Sequence, residues 1–133
     1  MRCLLDTHAL LWAVIHPAKL SDQARQTIHD PGSDVLVSSI SLWEISLKYG
    51  LKRLDLEGLR PEEFPLWVHR SGFVILPLEA ELAATYHQLP MVGTHKDPFD
   101  RMLVWQAIRA GMTLISHDRI MAAYEPHGLS LLW

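Results

Sequence analysis

Short apolar runs alternate along the chain with longer segments whose apolar positions recur at helical spacing. The runs at 2–5, 34–38, 73–76, 113–116 and 129–132 read as strands, the last an edge strand. Val35-Leu36-Val37 is apolar at consecutive positions, the pattern of a strand buried on both faces. Segments 7–15, 21–30, 39–49, 61–70, 78–89, 98–110 and 119–124 read as helices. Pro17, Pro31-Gly32, Gly50, Pro77, Pro90 and Gly111 punctuate them, with Gly50 expected just past its helix and 51–58 expected as loop. Strands that alternate with helices specify a mostly parallel sheet of four to five strands, covered on both faces. The expected fold class is therefore α/β, a three-layer α/β/α sandwich. In such sheets ligands collect outside the carboxyl ends of the strands, so the residues that follow each strand are the ones to inspect.

The chain is 133 residues long, which suits one domain over 1–133 with a core of its own. Apolar residues at 49% and charged residues at 20% mark it as globular and not disordered. A net charge of −3 leaves no overall basic field, so contact with nucleic acid would be local or assisted by metal ions. The one cysteine, Cys3, excludes an internal disulfide and reads as a buried, inert thiol. No small-residue cleavage site follows the apolar stretch at 3–15, and no apolar run nears the ~20 residues of a membrane span. A cytoplasmic protein without membrane contact is expected.

The most informative stretch is His95-Lys96-Asp97-Pro98-Phe99-Asp100-Arg101. Proline is favoured at the first helical position, which makes Asp97 the N-cap and puts Asp100 in the first turn. Both carboxylates then sit at the positive end of the helix dipole. Three other acids begin on the same side of the sheet. Asp6 ends the first strand, Asp118 lies just beyond the fourth, and Glu44 is in the helix after the second. Asp6 and Asp118 can cap the helices that follow, and Glu44 can pair with Lys48 one turn on. The helix around Glu44 (Ile40, Leu42, Trp43, Ile45, Leu47, Tyr49) is apolar on nearly every side, so it is expected to be largely buried, with Glu44 facing solvent or a polar site. Four or five carboxylates in one cleft repel one another unless a cation neutralises them. Oxygen-only ligands select a hard cation, Mg²⁺ or Mn²⁺ before Zn²⁺, and such a site can drive phosphoryl displacement by water.

Other chemistries lack their residues. There is no H-E-x-x-H or C-x-x-C for zinc, no G-x-x-x-x-G-K-[ST] or G-x-G-x-x-G phosphate cradle, and no G-x-S-x-G elbow.

Four blocks stand in order: Leu4-Leu5-Asp6-Thr7-His8, Ile40-Ser41-Leu42-Trp43-Glu44-Ile45, His95 to Arg101, and Leu114-Ile115-Ser116-His117-Asp118. Together they resemble the signature blocks of PIN-domain ribonucleases, in particular the VapC toxins of type II toxin–antitoxin modules. The resemblance implies a Mg²⁺- or Mn²⁺-dependent endoribonuclease on a five-stranded parallel sheet. It implies an acidic quartet of Asp6, Glu44, Asp100 and Asp118, with Asp6 and Asp100 as direct metal ligands and Glu44 and Asp118 direct or through water. Asp97 matches a frequent extra acid, and Ser116 a small hydroxyl residue that supports the site. It further implies a homodimer, an RNA substrate and a VapB-like antitoxin partner. A PIN-type RNA-processing nuclease without an antitoxin, and a non-enzymatic PIN-fold binding module, are the alternatives. The family often carries a Phe soon after the fourth acid, where this chain has Arg119-Ile120-Met121.

The remaining polar and aromatic residues read more blandly. His8, His95 and His117 are expected to be solvent-facing loop residues. Lys48, Lys52, Arg53, Lys96 and Arg101 supply either local positive charge for RNA or a solvated surface. Trp12, Trp43, Trp67, Trp105 and Trp133 read as core or interface anchors.

Overall fold

The computed structural model describes residues 1–133. Its centre is a five-stranded sheet in the order β3-β2-β1-β4-β5, formed by β1 (Arg2–Leu5), β2 (Asp34–Ser38), β3 (Val74–Leu76), β4 (Thr113–Ile115) and β5 (Ser130–Leu132). Every pairing is parallel: Leu4 lies opposite Leu36 and Leu114, Val37 opposite Ile75, and Leu114 opposite Leu131. The consecutive apolar residues of β1, β2 and β4 are explained by two cores. Cys3, Leu5, Val35, Val37 and Ile115 point into one, and Leu4, Leu36 and Leu114 into the other. A parallel sheet needs both faces covered because its crossover helices lie on them.

The helices are α1 (Thr7–Ile15), α2 (Asp22–His29), α3 (Ser39–Gly50), α4 (Phe64–Arg70), α5 (Ala80–Thr85) and α6 (Pro98–Ala110). Leu10 and Leu11 of α1, Ala24 and Ile28 of α2, and Phe64 and Val68 of α4 fill the first core. Leu103, Val104, Trp105 and Ala107 of α6, with Tyr124, fill the second. Three expected helices are shorter or tighter than the pattern suggests. The segment from Pro61 begins as a 3-10 turn, Pro61–Glu63, before α4; the one expected at 78–89 is α5 plus a 3-10 turn, Tyr86–Gln88; and the last is entirely 3-10, Arg119–His127, with Pro126 near its end. Gly50 is the final residue of α3, and the positive φ beyond it falls on Lys52 (φ 57°). At α6 the expectation holds: Gly111 caps it at φ 64°, where any side chain would be strained.

α3 meets one expectation, Glu44 in a polar site, and departs from another, the burial of its apolar residues. Its polar residues Ser41 and Glu44 are buried, whereas Trp43, Leu47 and Tyr49 are exposed. The polar stripe points inward because it meets polar partners at the ends of β1 and α1. Ile40 and Ile45 enter the two cores, while Trp43, Leu47 and Tyr49 are left facing out.

Candidate active site

Asp6 is set by the sheet. Its N–H bonds the Ile115 carbonyl at 3.0 Å, which ties the end of β1 to β4. Its carboxylate caps α1, accepting from the Ala9 N–H at 2.8 Å, and the Ser116 hydroxyl donates to it. Ser116 also accepts the Asp118 N–H at 3.1 Å, so one buried hydroxyl joins the residues after β1 and β4.

Glu44 reaches the same place from α3. It is buried, and the hydroxyl of Thr7, the residue after Asp6, donates to its Oε1 at 2.5 Å, with the Ser41 hydroxyl 3.1 Å from that of Thr7. Its Oε2 pairs with Lys48, one turn along the helix. The expected Glu44–Lys48 pair therefore exists, but at the edge of the interior and not on an open surface.

Asp97 and Asp100 divide the start of α6. Asp97 Oδ1 accepts from the N–H groups of Phe99 at 2.9 Å and Asp100 at 3.2 Å, the N-cap arrangement. Asp100 is free of that duty. Its Oδ2 lies 3.3 Å from Nε2 of His95, whose Nδ1 lies 2.7 Å from the Tyr124 hydroxyl. The tautomer follows from donor arithmetic. Arg101 only donates, and its Nη1 is 3.0 Å from the Tyr124 oxygen. The Tyr124 proton is then directed to Nδ1, so a neutral His95 carries its proton on Nε2 and donates to Asp100.

The acids feel one another. Burial, first, and then the negative charges of Asp97, Glu44 and Asp6 push the Asp100 carboxyl up to about 6, against the opposing hydrogen bond from His95. Burial likewise raises Asp6, with the Glu44 charge adding to it and the Ser116 and Ala9 bonds working against it. Burial pulls the Lys48 ammonium down, but its bond to Glu44 and the charges of Glu44, Asp97 and Asp100 together lift it above its ordinary value. Lys48 is thus one ammonium set against three carboxylates.

Asp118 stands apart from this group. It is exposed, caps the 3-10 turn through the Ile120 N–H at 3.1 Å, and is not one of the main charges acting on Asp6 or Asp100. It meets Asp6 instead in a cleft of about 620 Å³ that also includes His8, Trp12, His117 and Arg119. The geometry therefore gathers Asp6, Glu44, Asp97 and Asp100 in one field and puts Asp118 with Asp6 in the adjoining cleft.

A hard divalent cation fits this set in chemistry and in charge. All donors are oxygens, and the neighbouring negative charges add to burial in making Asp100 resist ionisation. The side chains do not already converge on a point: no three His, Cys, Asp or Glu groups lie close enough to hold one ion as they stand. Both Glu44 oxygens have a partner, Thr7 and Lys48, which leaves one lone pair on each and puts the Lys48 charge beside any ion Glu44 would ligate.

Residues 3–125 match the family model of the PIN domain. The chain belongs to the PIN-domain family. No curated protein sequence matches it. Among solved structures, a chain of the VapBC2 complex from Rickettsia felis, bound to a DNA fragment of its promoter, superposes with a TM-score of 0.65 at 19% identity, covering 99% of this chain and 98% of that one. DNA-bound VapBC from Salmonella typhimurium gives 0.66 at 19% identity, covering 99% and 97%. VapBC-1 from nontypeable Haemophilus influenzae gives 0.60 at 15%, covering 99% and 97%. Identities this low speak to the fold, and the PIN fold with its five parallel strands is the one expected from the sequence.

Two polar residues of this PIN domain sit elsewhere than the sequence suggested. His95 is buried, not solvent-facing, because Tyr124 and Asp100 both claim its ring nitrogens. Arg101 is buried as well and is no part of a surface basic patch. A signal for Arg101 was present: it is one turn from Val104 and Trp105, on the buried face of α6. For His95 and Thr7 no local pattern marks the role, which depends on contacts across 29 and 37 residues of sequence.

Proposed function

We propose that this PIN domain is a Mg²⁺- or Mn²⁺-dependent endoribonuclease, the toxin of a VapBC-type toxin–antitoxin module. One observation carries the reading: Asp6, Glu44, Asp97 and Asp100 crowd together beside Lys48, and burial together with that crowding holds Asp100 up to about 6. A fold spends no stability on such repulsion without a ligand that relieves it.

In this reading Asp6 and Asp100 hold the cation, with Glu44 and Asp118 acting directly or through water. When bound, the ion supplies Lewis acidity and neutralises charge on the phosphate oxygens. The rest falls to the protein. Ala9 and Ser116 fix the Asp6 carboxylate, His95 fixes Asp100, and Asp97 holds the helix start that aims Asp100. A water oxygen bonds to phosphorus, the bond from phosphorus to the leaving ribose oxygen breaks, and a proton passes to that oxygen. Lys48 gives up Glu44 and becomes available to a phosphate.

The partners follow the same reasoning. VapBC complexes among the structural neighbours support a VapB-like antitoxin. The outward apolar residues Trp43, Leu47 and Tyr49 of α3 support a protein interface, such as a homodimer.

The test is cleavage of single-stranded RNA by the purified protein in Mg²⁺ or Mn²⁺. Cleavage should stop with chelator, and Asp6→Asn or Asp100→Asn should lower the rate about a thousandfold, the scale of several kcal/mol of transition-state stabilisation. Full activity in either variant sinks the proposal.

A further inference from the structure

Four aromatic rings from three separate parts of the chain meet near Asp6: His8, Trp12 and His117 line the cleft it belongs to, and Trp133 lines the adjoining one. His8 and Trp12 lie four residues apart on α1, on one face of the helix. His117 follows β4 and Trp133 follows β5. Ring centroids are 6.0 Å apart for His8 and Trp12, 5.6 Å for Trp12 and His117, 5.2 Å for His117 and Trp133, and 5.6 Å for Trp12 and Trp133. Rings gathered to build a core would be buried. Here both imidazoles are exposed and both indoles are only half-buried. Arg119 borders the same cleft, exposed and without an ion-pair partner in the chain.

We propose that this aromatic wall is a stacking subsite for one unpaired nucleobase of an RNA strand, that of a nucleotide next to the phosphate handled by the acids. The inference rests on the ribonuclease reading and adds to it what the strand must offer. Three chemistries needed by a nucleotide occur side by side: aromatic faces for a base, a guanidinium for a neighbouring phosphate, and carboxylates for a cation. The cleft, at about 620 Å³, is of small-ligand size. A base inside a duplex has both faces covered by its neighbours, so only single-stranded or looped RNA can present one here. The acids repel a strand, and the wall supplies the attraction that a net charge of −3 does not.

Trp12 also packs against the core, so its removal would test folding as much as binding. His117 is the residue to change, with His117→Ala compared against His117→Phe. Binding of a short fluorescein-labelled single-stranded RNA is measured in the Asp100→Asn background, which removes one repelling charge and prevents cleavage during titration. His117→Ala should raise Kd by about five- to a hundredfold, and His117→Phe should restore it to within about threefold of the parent. Unlabelled single strands should quench tryptophan fluorescence, and a fully paired duplex of the same sequence should not. In the otherwise native protein with Mn²⁺, His117→Ala should raise KM by the same factor while kcat moves less than about twofold.

Equal binding by the parent and His117→Ala overturns the subsite, as does a Phe variant no better than Ala. Quenching by duplex as strong as by single strands also overturns it. Absence of RNA binding in the parent overturns it in favour of a protein occupant. The two readings separate cleanly: stacking without cleavage by the native protein removes the nuclease and leaves the subsite, and cleavage with KM unmoved by His117→Ala removes the subsite and leaves the nuclease.

Discussion

Asp100 and Arg101 are consecutive residues of α6, and the protein treats their charges in opposite ways. Arg101 is buried with its guanidinium matched almost donor for donor. It bonds the Tyr86 and Tyr124 hydroxyls at 3.0 Å each and the carbonyls of Leu89 at 3.0 Å and Pro90 at 3.1 Å. The plane also lies over the Tyr86 and Tyr124 rings, 5.5 and 5.9 Å from their centroids. Asp100, one residue earlier, faces three other carboxylates and has a single histidine as donor. A charge that serves the fold is surrounded by complementary groups. A charge left among its own kind costs stability, and in the proposed function a bound cation offsets that cost. The 13-residue helix thus turns one face to architecture and one edge to chemistry.

The largest effect should come from breaking the matched side. Arg101→Leu leaves two tyrosine hydroxyls and two carbonyls without their donor in a buried place. Each orphaned group costs about 1–3 kcal/mol, so a total of about 3–5 kcal/mol is expected after relaxation. For a chain of this length that is a fall in Tm of about 10–20 °C. Arg101→Lys keeps the charge but loses the planar fork, and it should recover less than half. Thermal unfolding followed by circular dichroism decides; a shift of under about 2 °C would show that the network contributes little.

The opposite sign is expected next door. The Asp100 carboxyl has a folded-state value near 6 against an ordinary 3.8, so the folded protein holds that proton where the unfolded chain has lost it. The associated stability is greatest below pH 4 and declines as pH rises from about 4 to 6. Above that window the ionised group costs the metal-free fold about 3 kcal/mol, and its side chain, 23% exposed, is little screened. Asp100→Asn should therefore raise the Tm of the metal-free protein at pH 7 and flatten its decline between pH 4 and 6. Mn²⁺ should stabilise the native protein far more than this variant. A variant less stable than the parent at pH 7 in chelator would refute the electrostatic account.

How much of this contrast was legible in the sequence follows from the range of the contacts. The sheet and α6 were legible because their signals are local: Val35-Leu36-Val37 for a doubly buried strand, and Asp97-Pro98 with Gly111 for the two helix ends. The acids after β1 and β4 were legible because parallel topology fixes where strand ends lie. For α3 the polar-site alternative for Glu44 holds, through Thr7, 37 residues away, but the expected burial fails at Trp43, Leu47 and Tyr49, because hydrophobicity alone assigns every apolar residue inward. His95 was misread because Tyr124 lies 29 residues further on. The 3-10 geometry of Arg119–His127 also exceeds what composition encodes, although Pro126, which cannot donate within a helix, is a local hint.

The smallest expected effect concerns His95, because it joins the two sides: it accepts from Tyr124, a partner of Arg101, and donates to Asp100. Removing it as His95→Ala leaves the Arg101 bonds in place but orphans the Tyr124 hydroxyl proton, so a loss of about 1–2 kcal/mol is expected, below that of Arg101→Leu. The catalytic cost should be about tenfold in kcat, the lower end for residues that orient a metal ligand, with KM little changed. A role in packing alone could produce a similar fall in rate, so the rate by itself does not separate the explanations. The pH profile does. The His95 hydrogen bond favours ionised Asp100 and holds its value down. Without that bond the value rises further, and the acidic limb of the kcat/KM profile must move to higher pH. His95→Gln, whose amide N–H can take the place of Nε2, should move the limb part of the way back. An acidic limb that stays in place in the Ala variant would mean that Asp100 is positioned by α6 and Asp97 alone, and that the matched and unmatched sides of the helix act independently.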